Sequence, residues 1–329
     1  MLLYIIYPFI ALFIIYISKK INLVDEPSDR KLHIIDTPFT GGLSIFIFYI
    51  LFINQFEFVS ELEMIITIGT FIIFAGIIDD KFKLTPGVKL IFISFPIFFL
   101  VFNNFLIVDL GTYEYFGRIN LGKFAIPFTI LCIGLFINAY NYIDGIDGLA
   151  LSIAIKAFLY LFILIDNEPV KNFLLFLTFP LIINLILNLM PQKTSLKLFL
   201  GNNGSLFIGF VLSFILIYCY KSNILHPSIF IWTIWYPVYD FLFVNIYRLV
   251  NKRNIFEAGK DHFHHYIFIK LNKSHLKTLF FINILNIIII TISFYINEIF
   301  GALISLVTFV SLFFLYSFVV SKLYRKISF

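Results

Sequence analysis

The chain has 329 residues, of which 60% are hydrophobic, 20% aromatic and only 13% charged, and its formal net charge is +5. Because soluble domains average about 25% charged residues, this composition excludes a soluble globular protein and predicts an all-α polytopic membrane protein. The two cysteines, Cys132 and Cys219, both lie in apolar runs, so neither a disulfide framework nor a cysteine-based metal site is expected.

Apolar stretches that could cross a bilayer recur along the whole chain. They predict about eleven transmembrane helices in a single membrane domain, 1–329, near residues 1–17, 41–55, 62–78, 88–108, 124–142, 148–165, 172–189, 203–220, 227–248, 278–296 and 299–321. The first stretch has no preceding basic residue and no small-residue cleavage site, so a transmembrane helix is expected there and not a signal peptide.

Lysine and arginine are distributed unevenly between alternate loops. Most of these 24 residues lie in one set of loops, which the positive-inside rule places in the cytoplasm. The N-terminus is therefore predicted outside and the C-terminus inside, with cytoplasmic loops near 18–41, 79–87, 138–148, 190–205 and 249–277, in which the candidate site residues lie. A transporter would concentrate ionisable residues near the bilayer midplane, whereas only Lys156 and Asp240 lie away from the loops here.

The first polar group in these loops is the adjacent pair Asp79 and Asp80, which is followed by Lys89. Carboxylates together with substrate phosphates are the usual surroundings of Mg²⁺ in proteins. The pair could therefore hold a divalent cation or accept a proton. A solvated helix end with compensating lysines explains this pair equally well when it is taken alone.

Four polar residues then recur at every third position: Asn138, Asn141, Asp144 and Asp147. This spacing makes successive side chains neighbours on a helix surface. A hydrogen-bonded seam between membrane helices would explain the two amides, but it would not explain the two acids. Because ionisable groups are costly in a membrane, this cluster indicates a functional site.

Two further polar segments could bind an anion. Residues 201–205 open a helix, whose free backbone amides suit an anion, although the segment lacks the lysine of a P-loop. His262, His264 and His265 follow Lys260, and they suit either zinc or a cationic clamp on phosphates; without a nearby cysteine, the clamp is favoured. A basic loop attracted to anionic lipid would explain the lysine, but not the three histidines.

Taken in order, these segments resemble the motifs of the polyprenyl-phosphate N-acetylhexosamine-1-phosphate transferases. The resemblance covers most of the chain and rests on Arg30-Lys31-Leu32-His33, Pro38, Gly41-Gly42, Asp79-Asp80, Leu84, Pro86, Lys89-Leu90, Asn138, Asn141, Asp144-Gly145-Ile146-Asp147-Gly148-Leu149, residues 199–205, Gly209-Phe210, Pro237, Asp240 and His262-Phe263-His264-His265. The last motif is typical of the sugar-transferring branch, whereas the related peptidoglycan enzymes carry three successive histidines there.

The resemblance implies transfer of a sugar 1-phosphate from a UDP-N-acetylhexosamine to undecaprenyl phosphate, with release of UMP. It also implies dependence on Mg²⁺, with Mn²⁺ as a substitute, and a multi-pass homodimer of the bacterial inner membrane whose active site faces the cytoplasm. Membrane lipid is an expected partner and nucleic acid is not.

The resemblance further implies roles for individual residues. The residues implied as catalytic are Asp79, Asp80, Asp144 and Asp147; those implied as metal ligands are Asn202, Asp80 and Asp144; and those implied in substrate binding are Arg30, Lys31, His33, Lys89, Asn138, Asn141, Phe199, Lys260, His262, His264 and His265. In this assignment Phe199 stacks on uracil, and the histidines neutralise the diphosphate.

One position departs from the family pattern, because this chain carries Asn202 where members usually carry an aspartate after the glycine. An amide oxygen can coordinate Mg²⁺, but it adds no charge and cannot become covalently phosphorylated. Direct displacement by the lipid phosphate is compatible with this change. Two alternatives from other classes stay open: a catalytically impaired, lipid-binding relative, and a lipid or solute transporter.

Overall fold

The computed structural model describes residues 2–27, 35–56, 58–255, 259 and 261–324. Helices make up 75% of the structure. The twelve α-helices of the described residues are α1 (Leu2–Lys20), α2 (Gly41–Phe52), α3 (Ser60–Phe82), α4 (Pro86–Phe102), α5 (Ala125–Tyr142), α6 (Leu149–Leu164), α7 (Glu168–Asn188), α8 (Gly201–Lys221), α9 (Pro227–Phe230), α10 (Trp235–Val250), α11 (Phe263–Lys270) and α12 (His275–Tyr324). Short 3₁₀ turns occupy Ile53–Gln55, Gly122–Phe124 and Ile231–Ile234.

Among the residues that the structure describes, six helical segments are long and apolar enough to cross a membrane, so the prediction of a multi-pass membrane protein is confirmed. They are Ser60–Phe82, Gly122–Tyr142, Glu168–Asn188, Gly201–Lys221, Pro227–Val250 and His275–Tyr324, and shorter apolar helices lie at Gly41–Gln55, Pro86–Phe102 and Leu149–Leu164. The count of eleven spans and the orientation stay predictions.

The longest helix, α12, contains a break that divides it into two segments. Gly301 has φ 80° and ψ 177°, which is a non-helical conformation that glycine adopts readily. The segments 275–300 and 302–324 correspond to the two spans predicted near 278–296 and 299–321. A continuous helix of 50 residues would be much longer than the ~20 residues that cross a bilayer.

The helix α8 lies in the middle of the bundle, and 89% of its apolar stretch is buried. Glycines let α2 and α3 approach its first turn closely. A Cβ added to Gly42 would lie 2.1 Å from Gly204 Cα, and one added to Gly76 would lie 2.2 Å from Asn203 Cα. The start of α8 is therefore enclosed by the ends of neighbouring helices, and the polar segments of the sequence meet there.

The described residues agree with the all-α prediction, and between the helices they add two short hairpins. The strand β1 (Val24–Asp25) pairs with β2 (Thr37–Pro38), and β3 (Asp109–Tyr113) pairs with β4 (Gly117–Asn120), both antiparallel. The predicted span 88–108 consequently ends early, at Phe102. The span predicted at 227–248 is found at Pro227–Val250, with a 3₁₀ turn inside it. Hydropathy alone cannot separate a short apolar strand from the end of an apolar helix.

Candidate active site

The first turn of α8 holds the carboxylate of Asp80, which lies near the end of α3. Asp80 Oδ1 accepts a hydrogen bond from the Asn202 amide (3.0 Å), and Oδ2 accepts from the Asn203 amide (3.2 Å) and side chain (2.8 Å). The positive end of a helix favours an anion, and Gly201, with φ +75°, allows the sharp entry into the helix. The sequence predicted that the free amides at this helix start suit an anion, and the anion that the Asn202 and Asn203 amides bind is the protein's own Asp80 carboxylate.

The side chain of Asn203 connects this acid to the neighbouring segments. It is fully buried, its Oδ1 accepts from the Leu43 amide at 2.9 Å, and its Nδ2 also donates to the Phe39 carbonyl at 2.7 Å. Asn203 therefore fixes Asp80, α2 and α8 relative to each other. Sequence reasoning gave this residue no role, since a single amide inside a glycine-rich turn carries no signal of its partners.

The second acid of the pair, Asp79, has a different environment. Asp79 Oδ2 lies 2.8 Å from Lys89 Nζ, and its Oδ1 accepts from the Leu84 amide at 3.0 Å. Lys89 also donates to Asn141 Oδ1 at 2.9 Å. Because Asn141 Oδ1 is an acceptor here, its Nδ2 must donate, and it donates to Asn202 Oδ1 at 2.7 Å. A continuous polar chain thus joins α3, α4, α5 and α8.

The turn after α5 carries Asp144, which is partly buried and receives no hydrogen bond or ion pair from any other described side chain. Burial raises the pKa of Asp144 well above its usual range, and the negative charges of Asp80 and Asp147 add to the effect. A carboxylate that is buried beside other negative charges and has no countercharge attracts a cation. Asn138, six residues earlier on α5, donates to the Gly134 carbonyl of its own helix at 2.7 Å.

Three residues later, Asp147 is paired with Lys197, whose side chain is only 1% exposed. Asp147 Oδ2 accepts from Lys197 Nζ at 2.8 Å and from Gln192 Nε2 at 3.3 Å. Lys197 also donates to the carbonyls of Asn188 (2.7 Å) and Met190 (3.0 Å), at the C-terminal end of α7. Cations are favourable at that end of a helix, so this pair anchors the turn to α7.

The histidines lie on the other side of the same turn. A Cβ added to Gly145 would lie 2.9 Å from His265 Nε2 and 3.1 Å from His264 Nε2, so both rings pack directly against the residue after Asp144. His264 is fully buried, and this burial lowers its pKa well below the usual range. The charges of the neighbouring His265 and His262 lower it further. At neutral pH His264 therefore supplies a neutral imidazole.

The segment before the histidines is held by a buried ion pair. Arg248 Nε donates to Asp261 Oδ2 at 2.8 Å, and a second bond joins Arg248 Nη2 to Asp261 Oδ1. Burial opposes ionisation of Asp261, but the bonds from Arg248 outweigh it and hold the pKa of this acid below its usual range. Tyr324, at the end of α12, donates to the Asp261 carbonyl at 2.7 Å. Sequence reasoning did not identify this pair.

The remaining predicted binding residues divide into two groups. Phe199 lies in the segment before α8, where its amide donates to the Pro38 carbonyl at 2.8 Å and its ring lies 5.5 Å from Lys197 Nζ. Arg30, Lys31, His33 and Lys260 lie outside the described residues.

The oxygen donors of the site fit a hard divalent cation. Among the described residues, no group of three or more His, Cys, Asp or Glu side chains forms a closed metal site. Mg²⁺ needs no such cage, because it is commonly held by one or two carboxylates together with substrate phosphates and water. No described residue neutralises the Asp144 carboxylate, and the Asp80 charge is close enough to raise its pKa. The Asn202 amide oxygen accepts from Asn141, three residues before Asp144.

Acids and imidazoles thus converge at the ends of apolar helices, which defines a membrane protein with a site suited to phosphate chemistry. A sequence profile of glycosyl transferase family 4 matches residues 62–220. A protein named "Probable undecaprenyl-phosphate N-acetylglucosaminyl 1-phosphate transferase" from Bacillus subtilis (strain 168) is 34% identical over 257 residues, which is 76% of this chain and 70% of the relative.

Two further relatives are named undecaprenyl-phosphate alpha-N-acetylglucosaminyl 1-phosphate transferases. The protein from Escherichia coli O157:H7 is 29% identical and covers 80% of this chain and 74% of its own length. The protein from Yersinia pestis is 28% identical and covers 76% of this chain and 71% of its own length. The chain belongs to glycosyl transferase family 4.

Proposed function

We propose that this protein transfers a sugar 1-phosphate, from a UDP-N-acetylhexosamine, to undecaprenyl phosphate and releases UMP. The observation that carries the proposal is the convergence of an acid without a described partner, Asp144, with two imidazole nitrogens packed against Gly145. The names of the similar proteins agree with this reaction. The lipid product would then serve as the acceptor for an enzyme that extends a cell-envelope glycan.

In this reaction an oxygen of the lipid phosphate attacks the phosphorus atom that bears the sugar, and the bond from this phosphorus to the UMP oxygen breaks. Phosphoryl transfer needs mainly positioning and charge neutralisation. Asp80, Asp144 and Asn202 would hold Mg²⁺, with Mn²⁺ as a substitute, and the ion would neutralise the phosphate oxygens. His264 and His265 would contact the diphosphate beside Gly145.

The other polar residues would orient the substrates. Lys89 bridges Asp79 and Asn141, so it keeps a positive charge beside the acidic pair, where the lipid phosphate must arrive. Phe199 would stack on the uracil ring. Lys197 lies beneath the Phe199 ring, which supports the ring from the protein side.

The proposal includes eleven membrane spans, an outside N-terminus, a site that faces the cytoplasm of a bacterial inner membrane, and a homodimer. Orientation can be tested by single cysteines in a chain whose Cys132 and Cys219 are replaced by alanine. A cysteine at position 274 should be labelled by an impermeant reagent only from the cytoplasm, and one at position 168 only from outside. The reverse pattern would contradict access of the site to cytoplasmic UDP-sugars.

The activity itself is tested with purified protein in nanodiscs, undecaprenyl phosphate, Mg²⁺ and a panel of UDP-sugars. UMP release is expected with a UDP-N-acetylhexosamine, and it should require both the metal and the lipid phosphate. Undecaprenol, which lacks the nucleophilic phosphate, is the matched negative control. No release with any donor would reject the proposal, and Asn202, with its neutral side chain, would then favour an impaired lipid-binding relative.

A further inference from the structure

The acid Asp240 lies on α10 and belongs to neither the acidic cluster nor the first turn of α8. Its side chain is 1% exposed, so its charge is almost fully removed from solvent. Asp240 Oδ2 lies 2.7 Å from His262 Nδ1, and Oδ1 accepts from the Phe263 amide at 2.8 Å and from the Tyr316 hydroxyl at 3.1 Å. A buried carboxylate requires such partners, and two of the three belong to the histidine segment.

These contacts place Asp240 at the start of α11. His262 is the residue before that helix, and the Phe263 amide is one of the groups that the first helical turn leaves without an internal partner. Asp240 accepts this amide from another helix and so fixes the point where α11 begins. The same carboxylate therefore determines both the position of the histidine segment and the orientation of its first ring.

The contact with His262 determines which ring nitrogen carries hydrogen. A carboxylate oxygen at 2.7 Å from Nδ1 accepts a hydrogen bond, so Nδ1 must be the donor. The nitrogen on the opposite edge of the ring, Nε2, is then the atom that stays available to a ligand. The His262 ring also lies 5.3 Å from the His264 ring and 5.4 Å from the Tyr142 ring, which limits its rotation.

We propose that Asp240 is a positioning residue that acts through His262: it keeps Nδ1 protonated and presents Nε2 to the diphosphate of the UDP-sugar. This inference rests on the proposed function. In metal sites, loss of a carboxylate that orients a histidine ligand typically costs about 10- to 100-fold in activity or metal affinity, and a loss of similar size is expected here. The competing explanation is purely structural, with Asp240 joining α10 to α12 through Tyr316.

A double-mutant cycle separates the two explanations. Asp240→Asn should lower kcat/KM for the UDP-sugar by about 30-fold in the wild-type background, but by less than about threefold in a His262→Ala background. Asn can still accept from the Phe263 amide and Tyr316, so the helix contacts are preserved. Tyr316→Phe, the matched control, removes the other side-chain bond to Asp240 and should change kcat/KM less than about threefold.

An equal loss from Asp240→Asn in both backgrounds, or a loss in Tyr316→Phe as large as in Asp240→Asn, would overturn the inference. A second measurement does not need activity. Histidine labelled with ¹⁵N, assigned by comparison with His262→Ala, should show His262 with hydrogen on Nδ1 in the wild type and a changed tautomer in Asp240→Asn.

The two proposals fail in different ways. A wild-type protein that releases no UMP contradicts the proposed function, whereas a wild-type His262 that lacks hydrogen on Nδ1 contradicts the role of Asp240 even if the enzyme is active. The wild-type spectrum, with His262 assigned by comparison with His262→Ala, decides whether Nδ1 carries hydrogen. The test therefore holds even if Asp240→Asn does not insert correctly.

Discussion

Two acids in one turn, Asp144 and Asp147, have opposite environments. Asp147 is saturated by Lys197 and Gln192, whereas no described side chain neutralises Asp144. Both are aspartates, and each stands three residues after the previous polar residue of the series, so the sequence groups them together. The structure separates them: Asp144 is available to a cation or substrate, and Asp147 ties the turn to the end of α7.

The difference follows from what surrounds each side of the turn. On the Asp147 side, Lys197 is buried and brings a positive charge to the C-terminal carbonyls of α7. On the Asp144 side lie the Asp80 carboxylate and His264, whose ring is neutral because it is buried. A negative charge is thus compensated within the protein at one position and left for a ligand at the other.

The largest expected effect is the loss of activity in Asp144→Asn. If Asp144 holds the metal and no neighbour can replace it, UMP release should fall by at least ~1000-fold, which corresponds to about 4 kcal/mol of transition-state stabilisation. Asp80→Asn should have a similar effect. The measurement is UMP release at saturating Mg²⁺ with protein of confirmed folding; near wild-type turnover in both variants would mean that the site is misplaced.

The second prediction concerns stability, where the two acids should respond with opposite signs. Because burial raises the pKa of Asp144 in the folded protein, folding becomes less favourable as the pH rises from the unfolded pKa through the raised folded one. At pH 7 with a chelator present, Asp144→Asn should therefore raise the unfolding midpoint. Asp147→Asn should lower it, since Lys197 then lacks its countercharge, at a cost of about 3 kcal/mol.

Lys197→Met provides the control for this comparison. The double variant Asp147→Asn/Lys197→Met removes the isolated charge and should recover part of the midpoint lost in Asp147→Asn. Thermal scans in detergent at one scan rate are sufficient, because only differences between variants are compared. Equal shifts in Asp144→Asn and Asp147→Asn would show that the two environments are not distinct.

The helices and the general location of the site could be predicted from the sequence, and the partners of individual acids could not. Long apolar stretches predict helices because the backbone groups of a membrane span must form their hydrogen bonds within the span. Polar segments are easily recognised between such stretches. Asp147 and Lys197, however, are 50 residues apart, and Asp240 and His262 are 22 apart. Such pairs depend on which helices pack together, and the hydrophobic periodicity of the sequence does not predict this.

The start of α8 illustrates the same limit. Its free amides were recognisable from the sequence, but the identity of the anion was not, because a substrate phosphate and a carboxylate from α3 satisfy them equally well. The glycines of α2 and α3 allow the close approach, and this approach brings Asp80 within reach of Asn202 and Asn203. The packing of the helices therefore had to be known before the anion could be identified as the Asp80 carboxylate.

The smallest expected effect is a change in Mg²⁺ affinity in Asn202→Asp. This variant adds to the site a second acid that, like Asp144, has no lysine partner. The Asn202 oxygen accepts from Asn141 Nδ2, and a carboxylate would accept the same bond, so the variant should fold. It would add a third negative charge beside Asp80 and Asp144. Mg²⁺ should then bind about tenfold more tightly, a gain of ~1.4 kcal/mol.

Turnover need not increase in this variant, because tighter binding before the reaction does not stabilise the transition state. Asn223→Asp adds the same charge far from the site and should leave the metal affinity unchanged. Activity that is absent in the wild type and present in Asn202→Asp would identify the natural chain as an impaired enzyme. Since Asn202 cannot carry a covalent phosphoryl group, the wild type should transfer the sugar phosphate in one step, and a trapped phosphorylated protein would refute direct displacement.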